Sequence, residues 1–460
     1  MSGVMGLKCL AAAILGLTGF YVFFALTREY RLCFLLLAIL AFPFRLDFHL
    51  IFKETPFAQV KGLPITLFDV IVAILLVYWV VQLMLRQERL RFFPSLSFPA
   101  LTYILMAAIS AFRSDDRVLS FCMLFLIIKG YLIFLYFANN IKTRNEVGLI
   151  MAALALGVFA QSCLGVLQYL SGGTLGLEIF GESERAFRTA HVGYRAISRV
   201  GGTIGDPNSL AMYLNFILPP ILSMLFTDVS LKYRMLFALV FVLGGITEIF
   251  TLSRGGWIAL SFGSVIVLYG VFKGRLKSRL KSIIMLSISG VFVVCVLLGS
   301  SQNVRDRLFR DDYGSAQSRI PMIQVALNVI EANPITGVGL NNYATVMNKY
   351  DRTHSSITYN FPYPVHNAFL LIAGESGLLA LLSFLLILLG AARKTYSFFL
   401  LEDRFLCLLG IGFFGSILAW AVHAQFKMDF AGVNIALWFS IGMVVALHGM
   451  LPPKCHEPYS

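Results

Sequence analysis

The sequence predicts an all-α polytopic membrane protein with about 12 transmembrane helices. Of the 460 residues, 58% are hydrophobic and only 13% are charged, and the mean hydropathy is +0.80. A soluble domain has roughly 45–50% apolar and about 25% charged residues, so it could not bury this much apolar surface. The apolar residues form continuous runs near the ~20 residues that cross ~30 Å of hydrocarbon, rather than the alternating strands of a barrel.

The candidate spans follow one another along the whole chain. The first has no small-residue cleavage site, so we interpret it as retained. Thirteen spans with a cytoplasmic C-terminus would place the N-terminus on the outer side. The alternative is that the second apolar run, which is interrupted by Arg45 and Asp47, does not fully cross the membrane. We predict the spans near residues 8–26, 32–51, 66–85, 96–112, 118–138, 148–170, 208–226, 234–252, 255–272, 281–300, 366–391, 405–424 and 431–450.

Short basic loops predict the orientation of the chain. Cytoplasmic loops of membrane proteins generally carry an excess of lysine and arginine, so we expect all of these basic loops to lie on the cytoplasmic face. We therefore expect one transmembrane helical domain over residues 1–450, outer loops at 171–207 and 301–365, and a cytoplasmic tail at 451–460. The basic loops lie at 86–91, 142–144, 232–234, 273–281 and 393–394.

The outer loops are basic as well, although the formal net charge of +13 partly reflects the cytoplasmic bias. Positive charge on the outer face opposes that bias, which favours an anionic ligand such as a lipid phosphate or pyrophosphate. The alternative is contact with anionic headgroups or pairing with nearby aspartates. The arginines are Arg185, Arg188, Arg195, Arg199, Arg305, Arg307, Arg310 and Arg319.

Several kinds of site have no sequence signature here. The seven cysteines and seven histidines show no metal-ligand spacing, and no phosphate-binding glycine loop or dinucleotide fingerprint occurs. No basic run is typical of a nucleic-acid-binding tail. We therefore expect no metal, cofactor, nucleotide or nucleic acid, which argues against a nucleotide-driven pump.

Arg254 is the first candidate site residue, in the very short turn Ser253-Arg254-Gly255 between two apolar runs. An arginine at the bilayer surface faces a headgroup, a carboxylate or a bound anion. We interpret it as a ligand-binding residue; snorkelling to headgroups is the alternative. Glu248, close before it in sequence, is its candidate partner.

His366 stands where the long outer loop returns to the membrane. An imidazole exchanges a proton near neutral pH, as a general base must. From position alone, a lone histidine of this kind is more often a structural hydrogen-bond donor than a base. Upstream, Arg319 begins an amphipathic stretch that we predict to be a helix along the membrane face, covering a site. The turn at 201–208 predicts that Asp206 or Asn208 caps the following helix.

Four sequence blocks together resemble the bacterial O-antigen ligase and O-antigen polymerase superfamily. Their order and the long outer loop between them also match, whereas the N-terminal half contributes only its hydropathy pattern. The blocks are GGTIGDPNSLA at 201–211, TLSRGGWIAL at 251–260, NPITGVGLNNY at 333–343 and VHNAFLLIAGESGLLAL at 365–381.

The resemblance implies a metal-independent, inverting glycosyltransferase of the bacterial inner membrane with a periplasmic active site. The donor would be a glycan on undecaprenyl pyrophosphate, and the acceptor a hydroxyl of lipid A-core oligosaccharide. By motif, His366 would be the catalytic base, and Arg254 and Arg319 would bind the donor pyrophosphate. Arg199 is a further candidate for this cationic pocket.

Three residues are candidates for supporting roles: Asn367 beside His366, Glu375 one helical face below it, and Asp429 in the last outer loop. The two carboxylates could orient the histidine or hold an arginine, and structural pairing within the bundle is the alternative.

Within the superfamily, the acceptor separates the possible activities. A basic outer surface suits a phosphorylated lipid A-core and favours a ligase, but an O-antigen polymerase that extends the lipid-linked glycan stays open. Protein-directed enzymes often carry a large C-terminal soluble extension, which is not expected here. A glycan or lipid transporter would need ionisable residues at mid-membrane depth, and apart from Asp69, Glu248 and Glu375 the spans are nearly bare of them.

Overall fold

A computed structural model describes residues 2–55, 58–184, 190–192, 195–273, 317–400, 403–427 and 434–452. Within these ranges the chain is mostly helical. The helices are α1 (Ser2–Thr27), α2 (Tyr30–Ala41), α3 (Leu67–Met84), α4 (Pro94–Ala111), α5 (Arg117–Asn140), α6 (Arg144–Ser171), α7 (Pro207–Met224), α8 (Leu231–Phe250), α9 (Arg254–Lys273), α10 (Arg319–Ala332), α11 (Tyr343–Val346), α12 (Ile357–Asn360), α13 (Ala368–Ser376), α14 (Leu378–Tyr396), α15 (Arg404–His423) and α16 (Ile435–Gly449). Short 3-10 helices lie at Glu178–Phe180, Met347–Tyr350 and Ser397–Leu400.

Eight described helices are long and apolar enough to cross a membrane. They are α3, α4, α5, α6, α8, α9, α14 with its extension to Leu400, and α15; three shorter apolar helices lie at Leu10–Ala25, Tyr30–Ala41 and Ile435–Gly449. This supports a multi-pass helical protein. The total of about 12 stays a prediction, since the expected span at 281–300 lies outside the described residues.

Two small antiparallel hairpins correct the all-α expectation. Strand β1 (Asp47–Phe52) pairs with β2 (Gly62–Thr66), and β3 (Ala190–Val192) pairs with β4 (Arg195–Ile197). Strand β1 occupies the second half of the predicted span 32–51. Helix α2, with 12 residues, is only about 18 Å long and is too short to cross ~30 Å of hydrocarbon.

The predicted basic loops meet at one end of the bundle, as the sequence suggested. Polar and cation–ring contacts join these loops to one another, so they share one side of the protein, which we expect to be cytoplasmic. The contacts are Lys142 with Glu88 at 2.9 Å, Arg144 with Asp403, Arg404 with Asp228 at 3.5 Å, and Lys273 over the ring of Phe399.

Helix α15 lies at the centre and packs against α7, α9 and α16. Its contact with α9 is very close, because a Cβ atom on Gly415 would lie 2.8 Å from the carbonyl oxygen of Gly263. Pro219 of α7 fills the adjoining space, 3.0 Å from a Cβ position on Gly263. Small residues that let helix backbones approach are typical of helix packing in membranes.

The predicted span 366–391 is broken at Gly377 into α13 and α14. Gly377 has φ +89° and ψ 169°, a region that only glycine adopts readily. The break allows residues 334–338 to lie against α13. Leu378 N donates to Pro334 O at 2.8 Å, and Val338 N donates to Gly374 O at 2.9 Å.

We predict that Gly377→Ala lowers the stability of the protein by about 1–3 kcal/mol, because the backbone conformation is unfavourable for alanine. A Cβ atom there would also lie 2.0 Å from the carbonyl oxygen of Ile335. Thermal unfolding of the detergent-solubilised protein measures the change. Gly148→Ala is the matched control, since a Cβ atom on Gly148 would meet no atom within 4 Å. Equal unfolding temperatures for the two variants would contradict the prediction.

Candidate functional site

The candidate site residues lie at the end of the bundle opposite the basic loops. Four chain segments reach this end: the start of α7, the turn from α8 to α9, the start of α13, and the residues after α15. The start of α10 joins them through Arg319. Segments far apart in sequence therefore supply the site.

The turn between α8 and α9 positions Arg254. Leu252 adopts φ +50°, and the side chain of Ser253 accepts a hydrogen bond from Gly256 N at 3.3 Å, so the chain reverses within a few residues. Arg254 is then the first residue of α9. The tight turn leaves its side chain at the surface end of the bundle.

Arg199 joins the first outer loop to this turn. Its Nε donates to the carbonyl oxygen of Thr251 at 2.8 Å, and its Nη2 donates to Asn208 Oδ1 at 2.9 Å. The predicted cap of α7 is confirmed next to this contact, because Asp206 accepts from Ser209 N at 2.8 Å. Arg199 thus holds the turn against the start of α7.

Phe426 links the Arg254 turn to Arg319. A Cβ atom on Gly255 would lie 3.0 Å from Phe426 Cβ, so this side chain packs against the residue next to Arg254. The guanidinium carbon of Arg319 lies 5.6 Å from the centre of the Phe426 ring, which is a cation–π contact. Arg319 also begins α10, as the sequence predicted.

His366 lies near Arg319, two residues before α13 begins. Asn367 caps α13 by accepting from Phe369 N and Leu370 N, both at 3.0 Å, and donates to Gln425 Oε1 at 2.7 Å. Ala368 N donates to Ala424 O at 2.9 Å. These bonds fix the histidine beside the segment that carries Phe426.

The environment of His366 favours a neutral imidazole. Burial lowers its pKa, the charge of Arg319 lowers it further, and a hydrogen bond with the backbone of Pro364 acts in the opposite direction. Its Nδ1 is buried and has no hydrogen-bond partner among the described residues. A neutral histidine with an available nitrogen can accept a proton.

Glu375 has partners other than those expected from the sequence. It is buried, and its carboxyl oxygens accept from Asn341 N at 2.7 Å and Tyr343 N at 3.2 Å. Glu375 therefore holds the backbone of a loop rather than His366 or an arginine. Ser110 Oγ donates to its main-chain oxygen at 2.6 Å, which adds a contact with α4.

Two other expectations concern carboxylates. Asp429 lies outside the described residues. Glu248 is buried, and neither of its carboxyl oxygens has a hydrogen-bond partner in the described part of the chain, so it is not the partner of Arg254.

Sequence reasoning missed Phe426 and Gln425, which connect the candidate residues. Both fall in the outer loop after α15, but nothing in their local sequence distinguishes them. Their roles depend on contacts with residues about 60 to 170 positions away, and a single sequence does not encode such pairs in a readable form.

Comparison with known families gives a match in the part of the chain that contains these candidate residues. Residues 239–385 match the family model described as O-antigen ligase. The matched segment contains Arg254, Arg319 and His366, and it supports the superfamily resemblance that the sequence blocks indicated. None of the curated proteins searched matches the chain.

We predict that Glu375→Ala destabilises the protein by about 1–3 kcal/mol for each backbone N–H left buried without an acceptor. The unfolding temperature of the purified protein measures this loss. Glu331→Ala, which removes an exposed carboxylate from α10, should leave the unfolding temperature unchanged. A Glu375→Ala protein as stable as wild type would show that the loop at 341–343 does not depend on this carboxyl group.

Proposed function

We propose, from the match of residues 239–385 to the O-antigen ligase family and the resemblance of the four sequence blocks, that this protein is the ligase of lipopolysaccharide assembly. It would move O-antigen glycan from undecaprenyl pyrophosphate to lipid A-core oligosaccharide, on the periplasmic side of the bacterial inner membrane. The observation that carries the proposal is that Phe426 contacts both Arg319 and the Arg254 turn, and that Arg319 lies close enough to His366 for its charge to lower the pKa of the histidine.

In the proposed reaction, the acceptor hydroxyl oxygen forms a bond to the anomeric carbon of the donor glycan. The bond from that carbon to the pyrophosphate oxygen breaks, and the electron pair leaves with the lipid pyrophosphate. The hydroxyl proton goes to His366. Attack from the face opposite the leaving group inverts the anomeric configuration.

The arginines would stabilise the leaving group. Negative charge grows on the pyrophosphate as the bond breaks, and fixed cations beside it lower the barrier without reorganising. Arg254 and Arg319 would take this role, and Arg199 supports the Arg254 turn through its contact with Thr251. We propose no metal and no cofactor for this step.

His366 would act as the general base because its lowered pKa leaves it neutral at physiological pH. A sugar hydroxyl is a weak acid, so removal of its proton during attack accelerates the reaction. Asn367 would position the histidine through its bonds with α13 and Gln425.

Two alternatives remain for the same fold. An O-antigen polymerase would use the same donor and base but a second lipid-linked glycan as acceptor. A transporter would need charged groups in the spans that a substrate can reach, whereas Asp69 already pairs with Lys129 at 2.8 Å. The basic outer residues favour the ligase, because lipid A-core carries phosphate groups.

We predict that His366→Ala and Arg254→Ala each lower glycan transfer by about 100-fold or more, since one loses the base and the other a leaving-group cation. The assay supplies purified protein with the lipid pyrophosphate glycan and either lipid A-core or a second glycan carrier. A product on lipid A-core identifies a ligase, chain lengthening identifies a polymerase, and passage across liposomes without a new bond identifies a transporter.

His354→Ala and Arg352→Ala are the matched controls, because both residues are exposed on the loop before α12. Both should retain wild-type transfer. Near-normal turnover by His366→Ala or Arg254→Ala would remove that residue from the mechanism. Loss of transfer in EDTA, with recovery on adding a divalent ion, would overturn the metal-free reaction.

We predict that Arg319→Gln moves the acidic limb of the pH profile of kcat/KM to higher pH. The base works only when neutral, and the charge of Arg319 lowers the pKa of His366, so removing that charge raises the pKa. Wild-type activity should therefore persist to lower pH than that of the variant. An Arg352→Gln profile should superimpose on the wild type. An acidic limb that does not move in Arg319→Gln would exclude His366 as the titrating base.

A further inference from the structure

Three helices meet at Gly256, just inside the turn that carries Arg254. A Cβ atom on Gly256 would lie 2.3 Å from Glu248 Oε1 of α8 and 2.9 Å from Ala211 Cβ of α7. Ser253 Cβ, in the turn itself, lies 3.3 Å from the same position. Because glycine has no side chain, the carboxyl group of Glu248 fits between α7, α8 and α9.

The carboxyl group of Glu248 lacks a protein partner in the described structure. Only 1% of Glu248 is exposed, and neither carboxyl oxygen accepts or donates a hydrogen bond among the described residues, Arg254 included. A buried carboxylate needs a counter-charge, and a protonated carboxyl group would need an acceptor for its O–H. The end of α8 and the start of α9 carry opposite partial charges that largely offset each other. A group other than the described side chains must therefore supply the interaction.

Asn215 brings a second buried oxygen to Gly256. It follows Ala211 by one helical turn, so both residues face the same side of α7. Its Nδ2 donates to Gly256 O at 3.2 Å and lies 3.4 Å from His423 Nδ1, which orients the amide nitrogen toward these two acceptors. Asn215 is 1% exposed, and its Oδ1 has no hydrogen-bond partner in the part of the chain that the structure describes.

The chemistry of these groups indicates a cation of single charge. A carboxylate, an amide oxygen and the hydroxyl of Ser253 are hard oxygen ligands. Ser253 Oγ accepts from Gly256 N at 3.3 Å and keeps a second lone pair. Glu248 supplies the one negative charge. Among the described residues, no group of three or more His, Cys, Asp or Glu side chains could hold a metal ion, which disfavours a divalent cation.

We propose that Glu248, Asn215 and Ser253 bind a sodium ion at Gly256. The ion would neutralise the buried carboxylate and join the end of α8 to the start of α9 and to α7. It would lie beneath the Arg254 turn without contact to a substrate, so the proposed transfer reaction itself stays free of metal. The inference goes beyond the proposed function, because the site serves the same role whichever acceptor the enzyme uses.

Direct binding of radioactive sodium to the purified full-length protein tests the proposal. In a choline chloride buffer, we expect saturable binding by wild type. Glu248→Gln keeps the shape of the side chain but removes its charge, so it should raise Kd at least about tenfold. Glu331→Gln is the matched control, because Glu331 is exposed on α10, and it should bind sodium as wild type does.

Thermal unfolding gives a second measurement. At equal ionic strength, which keeps general screening constant, the unfolding temperature of wild type should be at least about 2 °C higher in sodium chloride than in choline chloride. Glu248→Gln should unfold at the same temperature in both salts. Glu331→Gln should show the wild-type difference.

Two results would overturn the sodium site. The first is an absence of saturable sodium binding by wild type, or equal binding by Glu248→Gln. The second is a wild-type unfolding temperature that does not depend on the cation, together with a Glu248→Gln protein of equal stability. That result would show that the carboxyl group holds a proton, since glutamine resembles the protonated form in shape and charge.

Discussion

The close contact of α9 with α15 is the constraint on which the candidate site depends. Cβ atoms on Gly263 and Gly415 would each lie 2.8 Å from the carbonyl oxygen of the other glycine, so the two backbones touch. From this contact, each helix continues for a little over two turns toward the outer end, roughly 12–14 Å. The contact thereby sets the height at which Gly255 meets Phe426. A larger side chain at either glycine would separate the helices and move Arg254 away from Arg319.

A second set of contacts joins α13, the helix that follows His366, to the loop at residues 341–343. Glu375 holds the backbone at Asn341 and Tyr343, and Asn341 Oδ1 in turn accepts from Gln59 N and Val60 N, each at 3.1 Å. A buried carboxyl group in α13 therefore positions a loop that holds the backbone of residues 59–60. His366 lies at the start of the same helix. The start of α13, which carries His366, and residues 59–60 are thus connected through one short helix and the loop that it holds.

The sequence predicts some of these features because they depend on local residues. Continuous apolar runs predict the helices, the start of α10 follows from the pattern after Arg319, and Asp206 caps α7 as its position before Pro207 suggested. The candidate residues Arg254 and His366 stand out because charged groups are rare near apolar spans. Their roles also required the family resemblance, since position alone leaves a structural role open for each.

Other features depend on tertiary contacts and could not be predicted. Hydropathy does not distinguish a span from a helix that ends early, so the hairpin after α2 and the break at Gly377 were missed. The break depends on a backbone conformation that is required only because residues 334–338 pack against α13. The sequence shows Arg45 only as an interruption of a span, whereas in the structure its guanidinium lies beside the turn at Gly205, which is far from it in sequence.

The electrostatics of the site connect base strength with donor binding. Arg319 lowers the pKa of His366, so without a donor the histidine is neutral but a weaker base. A pyrophosphate bound beside Arg319 would offset that charge, and the pKa of His366 would rise toward its usual range. In the proposed reaction, the histidine therefore becomes more basic when the donor is in place. The cations that stabilise the leaving group would then also link the strength of the base to the presence of the substrate.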